Sequence, residues 1–182
     1  KLWDLDFPYR YTVETIIKKG GKTIDKYLTP FGIRSVKFDK DKGFFLNNKH
    51  LKLKGMCLHQ DAGCLGTAVP DRAYERRLLI LKEFGTNAIR CSHNPPSPEF
   101  LNYCDSIGFL VIDEAFDKWK SGYYEEFFDS SWQQDISDMV IRDRNHPSVI
   151  LWSIGNELAE AKLKDDTGIE RAGMLQDFVH QL

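Results

Sequence analysis

The stretch Thr86–Phe116, "TNAIRCSHNPPSPEFLNYCDSIGFLVIDEAF", contains a complete strand–helix–strand pattern and decides the fold class. Its two apolar segments, "TNAIRCSH" and "FLVIDEAF", have the length and composition of buried strands. Between them, Ser97 is placed to cap a helix, Pro98 takes the first helical position and Gly108 ends it. Strands that alternate with helices through short connections predict a parallel sheet with right-handed crossovers.

The same unit recurs on both sides of this stretch. Upstream, the strand "HLKLKGMCLH" precedes the helix "DRAYERRLLILKEFG", with Asp71 as its N-cap and Gly85 just past its end. Downstream come the helix "SWQQDISDMVIRDRN", the strand "SVILWSIGNE" and a last helix near "TGIERAGMLQDFVHQL". Four such units predict an α/β fold, the N-terminal half of a (β/α)8 TIM barrel. A doubly wound sheet is the alternative, but "CLHQDAGCLG" after the first strand contains no G-x-G-x-x-G phosphate turn.

Residues 1–45 have a different pattern. "YRYTVETIIKK" alternates in the manner of a strand, "KKGGK" supplies a Gly-Gly turn, and a second strand follows near Thr23 to Tyr27. "FGIRSVKFD" alternates again. We therefore predict antiparallel strands at the end of a β-sandwich over residues 1–45, followed by the half-barrel over residues 46–182.

Composition excludes several classes of protein. Of the 182 residues 42% are hydrophobic, which is enough for a substantial core, and the net charge is −2 with both signs interspersed. No Lys/Arg block marks a nucleic-acid or anionic-membrane surface, and no apolar run approaches the roughly 18 residues of a membrane span. The chain begins without Met and ends within a helical pattern, so we expect a piece of a longer protein, and the sequence leaves its compartment open.

Polar residues follow each of the four predicted barrel strands. In parallel α/β folds, catalytic groups collect at the carboxyl ends of the strands, which all lie on one rim. Loop polarity and helix capping explain any one such group by itself. Polar groups after all four strands, on a single rim, indicate an active site. In chain order the groups are His59, Gln60 and Asp61; Arg90, Cys91, Ser92, His93 and Asn94; Asp113 and Glu114; Asn156 and Glu157.

Several of these motifs resemble glycoside hydrolase family 2, the family of β-galactosidases, β-glucuronidases and β-mannosidases. The resemblance lies in "TNAIRCSHNPPSPEFLNYCDSIGFLVIDEAF" and "DRNHPSVILWSIGNE", and "LTPFGIRSVKFD" and "NNKHLKLKGMCLHQD" are similar to that family's passage from its immunoglobulin-like domain into the barrel. It covers almost the whole chain in the family's order and spacing. It implies the end of an immunoglobulin-like β-sandwich, the first half of a catalytic barrel and a retaining exo-glycosidase. "GMCLHQDAGCLGTAVP" is most similar to the β-galactosidases.

By that resemblance Glu157 is the acid/base and Asn156 binds the sugar. Glycoside hydrolysis needs one carboxyl that stays protonated near neutral pH, and the apolar strand before Glu157 would desolvate it and raise its pKa. Asn156 would bond the 2-hydroxyl of the sugar. Arg90 matches a position close to the nucleophile, where a fixed cation keeps a carboxylate ionised. The further substrate-binding candidates are His59, Asp61 and His93.

Other expected features follow from the same resemblance. The nucleophile comes in the family from barrel strand seven, beyond the four strands predicted here, so we expect this chain to be inactive by itself. Asp113 and Glu114 are expected to be structural or to support the groups that touch the sugar. Lys118 stands where some β-galactosidases have an acidic magnesium ligand, so no metal and no cofactor is predicted. The predicted partners are a glycoside or oligosaccharide substrate and further copies of the chain, because half a barrel has unpaired strand edges.

Alternatives from other classes stay open. Cys57-x-His59 and Cys91-x-His93 are matching pairs on adjacent strands, and because residues i and i+2 share a face, four ligands could converge on zinc. Otherwise Cys57 and Cys91 pack as small apolar residues inside the barrel. A non-catalytic carbohydrate-binding protein is a further alternative, although binding alone requires no acid behind an apolar strand. Within the family, β-glucuronidase or another β-glycosidase remains open.

Overall fold

The structure, a computed structural model, describes residues 1–162 and 166–182, without the side chain of Ala161. Five strands form two small antiparallel sheets of order β1-β2 and β3-β4-β5, and four form one parallel sheet of order β6-β7-β8-β9. The first five strands are β1 (Tyr11–Lys19), β2 (Lys22–Phe31), β3 (Val36–Asp39), β4 (Gly43–Leu46) and β5 (Lys49–His50). The parallel strands are β6 (Gly55–His59), β7 (Ala88–Ser92), β8 (Leu110–Glu114) and β9 (Val149–Ser153). The α-helices are α1 (Asp71–Glu83), α2 (Pro98–Ile107), α3 (Glu125–Asp143) and α4 (Thr167–Gln181).

The predicted half-barrel sheet is confirmed, since all three pairings between β6, β7, β8 and β9 are parallel and in chain order. The first parallel strand, β6, is shorter than the predicted "HLKLKGMCLH", because residues 51–54 bond to the side chain of Asn87, the residue before β7. The side-chain oxygen of Asn87 accepts from the Lys54 amide at 2.7 Å, and its Nδ2 donates to the Lys52 carbonyl at 3.0 Å. Residues 51–54 make these bonds instead of pairing as a strand, and β6 begins at Gly55.

The ends of α2 are those predicted. The Ser97 hydroxyl accepts from the Phe100 amide at 3.3 Å, Pro98 occupies the first turn, and Gly108 ends the helix with φ 85°. A Cβ on Gly108 would lie 2.3 Å from the Leu5 carbonyl oxygen, so glycine is required there for space as well as for backbone angle.

The predicted cap of α1 is wrong by one residue. Pro70 takes the N-cap position in extended conformation, and Asp71 is the first residue of the helix. The acidic side chain still lies in the first turn, where a negative charge is favourable beside the free backbone amides. Gly85 follows the end of the helix with φ 80°, as predicted.

The helices cover one face of the parallel sheet with two apolar clusters. One contains Tyr74, Leu78, Ile89, Cys91, Phe100, Leu101, Cys104, Phe109, Val111 and Val149. The other, around α3 and α4, contains Ala115, Phe116, Trp119, Phe128, Ile136, Met139, Val140 and Leu175. No helix in the described part of the chain is long and apolar enough to cross a membrane. A third cluster, Trp3, Phe44, Leu46, Ala88 and Leu110, packs the N-terminal strands against the sheet. The polar site lies at the carboxyl ends of the parallel strands.

The zinc alternative is wrong because the two cysteines lie on opposite faces of the sheet. Cys57 pairs in register with Arg90, and Leu58 pairs with Cys91. Cys57 is therefore exposed, whereas Cys91 is buried in the first apolar cluster, where burial raises the pKa of its thiol well above the usual value. The described residues contain no group of three or more His, Cys, Asp or Glu side chains that could hold a metal ion. Cys91 packs as a small apolar residue, but Cys57 does not.

A buried carboxyl makes the stability of the fold depend on pH. Asp113 is 0% exposed, and burial, followed by the neighbouring Asp143 carboxylate, raises the pKa of Asp113 to about 8. Asp143 itself is paired with Arg142 through hydrogen bonds of 2.7 and 2.6 Å. The folded chain therefore binds a proton at Asp113 at pH values where the unfolded chain has released it.

We expect Asp113→Asn to remove most of this pH dependence. The stabilisation by the Asp113 proton is complete below about pH 4 and is lost as pH rises toward about 8, so wild-type unfolding free energy falls on the order of 2 kcal/mol between pH 6 and pH 8. Urea unfolding at a series of pH values measures this slope. Asp129→Asn, at an exposed carboxylate, serves as the control and keeps the wild-type slope. Equal slopes for wild type and Asp113→Asn would contradict the assignment.

Candidate active site

Glu114 is the centre of a hydrogen-bonded group at the carboxyl end of the sheet. Its side chain is 0% exposed, and Arg90 donates to both of its oxygens, Nε to Oε2 at 2.9 Å and Nη2 to Oε1 at 3.0 Å. His93 Nδ1 lies 2.7 Å from Oε1, and the Ser153 hydroxyl donates to Oε2 at 2.7 Å. Because Ser153 is the register partner of Glu114 on the next strand, the group connects β7, β8 and β9.

Arg90 extends this group to the end of β9. Its Nη2 donates to the side-chain oxygen of Asn156 at 2.9 Å, and its Nη1 lies 3.8 Å from the Cys57 sulfur. Partial burial opposes its charge, but the contacts with Cys57 and Glu114 raise the pKa of Arg90 above its usual value. Arg90 is therefore a fixed cation in the middle of the rim.

Asn156 is bound from the other side by the loop after β8. Its Nδ2 donates to Asp117 Oδ1 at 2.9 Å, and its backbone amide donates to the Asp117 carbonyl at 2.9 Å. Lys118 Nζ donates to the same Asp117 oxygen at 3.0 Å. The Asn156 hydrogen bond, assisted by Lys118 and opposed by slight burial, holds the pKa of Asp117 below its usual value.

The sequence analysis expected Glu157 to be buried, but the structure exposes it. Its side chain is 80% exposed, and Lys118 Nζ lies 3.4 Å from its Oε2. The strand ends at Ser153, and a Cβ on Gly155 would lie 2.9 Å from Trp119 Nε1, so the chain turns closely around Trp119 before it reaches Glu157. Glu157 then has φ 44°, in the left-handed region. The apolar residues of β9 therefore do not cover its carboxylate.

The structure brings together most of the predicted site residues. The rings of His59 and His93 are 5.1 Å apart, and His93 joins the Glu114 group. Asp61 is the exception: it lies in the exposed loop after β6, where its carbonyl accepts from Arg77 at 2.7 Å. Among the described residues, the Asp61 carboxylate has no hydrogen bond or ion pair to the other candidates.

Sequence reasoning missed Asp117 and Ser153, and it considered Lys118 only as a departure from a metal-binding position. The available signal was position, because Asp117 and Lys118 follow β8 on the same rim and Ser153 ends β9. Asp117 also lines a cavity of about 400 Å³ next to the site, a volume in the range of small-molecule pockets. The walls of this cavity include His93, Asn94, Phe116, Tyr124, Asp135 and Arg142.

Two family models and several known proteins match this chain. The family described as "Glycosyl hydrolases family 2, TIM barrel domain" matches residues 36–175, and the one described as "Glycosyl hydrolases family 2" matches residues 1–34. A β-galactosidase of Bacteroides ovatus is 49% identical over 99% of this chain and 22% of its own length. A β-glucuronidase of Bacteroides fragilis is 34% identical over 88% of this chain and 24% of its own. A crystal structure of a glycosyl hydrolase family 2 member from Bacteroides cellulosilyticus superposes with a TM-score of 0.92 at 48% identity, over 100% of this chain and 24% of that one. The chain thus spans less than a quarter of these relatives.

Proposed function

The chain belongs to glycosyl hydrolases family 2, and from that premise we propose that it carries the acid/base half of the active site of a retaining exo-β-glycosidase. The observation that carries the proposal is the Asn156–Glu157 pair just beyond β9, with Asn156 bound by Arg90 of β7 and by Asp117 in the loop after β8. A carboxylic acid beside a fixed amide is the arrangement that protonates a leaving group while the sugar is held.

In the proposed mechanism Glu157 donates a proton to the glycosidic oxygen as the bond to the sugar breaks. In the second step the same side chain acts as the base that deprotonates the incoming water. Asn156 bonds the 2-hydroxyl, a contact that strengthens as the ring flattens toward the oxocarbenium ion. Arg90 supplies the fixed positive charge between the strand ends.

A retaining reaction also needs a nucleophilic carboxylate about 5–5.5 Å from the acid/base. We assign that carboxylate to the seventh barrel strand of the full-length enzyme, in accordance with the family resemblance. We therefore expect the 182-residue chain to be inactive without that part of the barrel. The domain division at residues 45 and 46 and the roles of His59, His93 and Asp61 in binding the sugar are proposals of the same kind.

A β-galactoside is the proposed substrate. Support comes from "GMCLHQDAGCLGTAVP" and from the β-galactosidase that is 49% identical to this chain. A β-glucuronide is the second candidate, because β-glucuronidases are also among the relatives.

We expect the full-length enzyme to hydrolyse 4-nitrophenyl β-D-galactoside with a kcat/KM about 100-fold or more above that for the β-D-glucuronide, since a site built for a hydroxymethyl group leaves a carboxylate unpaired. Release of nitrophenol measures both, and the α-galactoside is the control that should not be cleaved. The opposite preference would assign the enzyme as a β-glucuronidase. Binding of galactose without cleavage of any of the three would indicate a carbohydrate-binding protein instead.

A further inference from the structure

The side-chain amide of Asn156 is bracketed by a group that can only donate and a group that can only accept hydrogen bonds. The Arg90 guanidinium donates to Oδ1 at 2.9 Å, and the Asp117 carboxylate accepts from Nδ2 at 2.9 Å. Rotation of the amide by half a turn would direct its N–H groups at the guanidinium and its oxygen at the carboxylate. Both contacts would then be repulsive, so Arg90 and Asp117 together permit a single orientation.

That orientation determines what the amide can offer to a ligand. One N–H of Nδ2 is used by Asp117 and one lone pair of Oδ1 by Arg90, which leaves one donor and one acceptor. A hydroxyl group, which both donates and accepts, matches this remainder. We propose that Asp117 is a positioning residue that fixes the Asn156 amide for the 2-hydroxyl of the sugar, an inference that rests on the proposed function.

Asp117 is itself held in place by contacts on two sides. Its carbonyl accepts from the Asn156 backbone amide at 2.9 Å, which ties the loop after β8 to the loop after β9. Lys118 Nζ donates to its Oδ1 at 3.0 Å and lies 3.4 Å from the Asn156 carbonyl oxygen. Because Asp117 is attached through its backbone, removal of its carboxylate takes away one of the two contacts that fix the amide, without detaching the loop.

The test compares wild type with Asp117→Ala in the full-length enzyme on a 4-nitrophenyl β-glycoside and on its 2-deoxy analogue. We expect Asp117→Ala to lower kcat/KM about 10-fold on the hydroxylated substrate, with the loss mainly in kcat, and to change it less than about twofold on the 2-deoxy substrate. Asp117→Asn should recover part of the rate, since its amide oxygen can still accept from Asn156. Equal losses on both substrates, or no loss on either, would overturn the proposal.

Two further variants separate this inference from the proposed function. Asn156→Ala should show the same dependence on the 2-hydroxyl with a larger loss; if it shows none, the assignment of Asn156 to the sugar fails, and the inference fails with it. If Asn156→Ala shows the dependence and Asp117→Ala does not, only the positioning role is overturned. Asp129→Ala is the control for loss of a surface carboxylate, because Asp129 pairs with Lys120 at the surface.

Discussion

Glu157→Gln in the full-length enzyme is expected to lower kcat/KM for an alkyl β-glycoside by about 10²–10⁴-fold, the usual contribution of general acid catalysis. The substitution keeps the shape of the side chain and its place near Lys118 but removes the transferable proton. An alkoxide is a poor leaving group and requires that proton. For a dinitrophenyl β-glycoside, whose leaving group departs without protonation, we expect the glycosylation step to be much less affected.

The contrast between the two leaving groups is measured by steady-state and pre-steady-state release of the aglycone. Glu99→Gln, at an exposed carboxylate in the first turn of α2, is the matched control and should retain wild-type rates on both substrates. Losses of the same size on the alkyl and dinitrophenyl substrates would remove Glu157 from the acid/base role.

Arg90→Met is expected to destabilise the chain by about 3 kcal/mol, because it leaves the Glu114 carboxylate buried without its cationic partner. Glu114 is 0% exposed, and Arg90 provides two of its hydrogen bonds. Its remaining contacts are the Ser153 hydroxyl and the His93 ring, each at 2.7 Å. Urea unfolding followed by tryptophan fluorescence measures the change.

Two variants show whether the buried charge is the cause of the loss. Arg72→Met breaks the exposed Arg72–Glu75 pair and should change stability by less than about 0.5 kcal/mol. The double variant Arg90→Met/Glu114→Gln should be less destabilised than the sum of the single variants, since the uncompensated carboxylate is gone. Strict additivity, or an equal loss for Arg72→Met, would contradict this account.

The parts of the fold that the sequence predicted well are those coded by adjacent residues. Apolar runs such as "FLVIDEAF" and the caps at Ser97 and Gly108 are local, and their consequences appear in β8 and α2. The late start of β6 could not be predicted, because it depends on Asn87 hydrogen bonds to a segment more than thirty residues away. The opposite faces of Cys57 and Cys91 depend on strand register, which the spacing of the two C-x-H pairs does not contain.

The site follows the same division. Strand ends on a parallel sheet share a rim, so the general location of Arg90, His93 and Asn156 was predictable from the order of elements. The exposure of the Glu157 side chain was not predictable. It results from the tight turn of Gly155 against Trp119, which places Glu157 beyond the apolar residues of β9. The contact of Asn156 with Asp117 was not predictable either, because it joins two loops that are separated in the sequence by α3 and β9.

The role of Glu157 as the acid/base of a retaining enzyme is tested most directly by the product that Glu157→Gln forms with azide. Without a base to activate water, a glycosyl-enzyme should accumulate on the dinitrophenyl substrate, and azide, which needs no deprotonation, should restore turnover. Proton NMR of the product should show a glycosyl azide of β configuration. A glycosyl azide of α configuration, or no rescue by azide, would contradict the account.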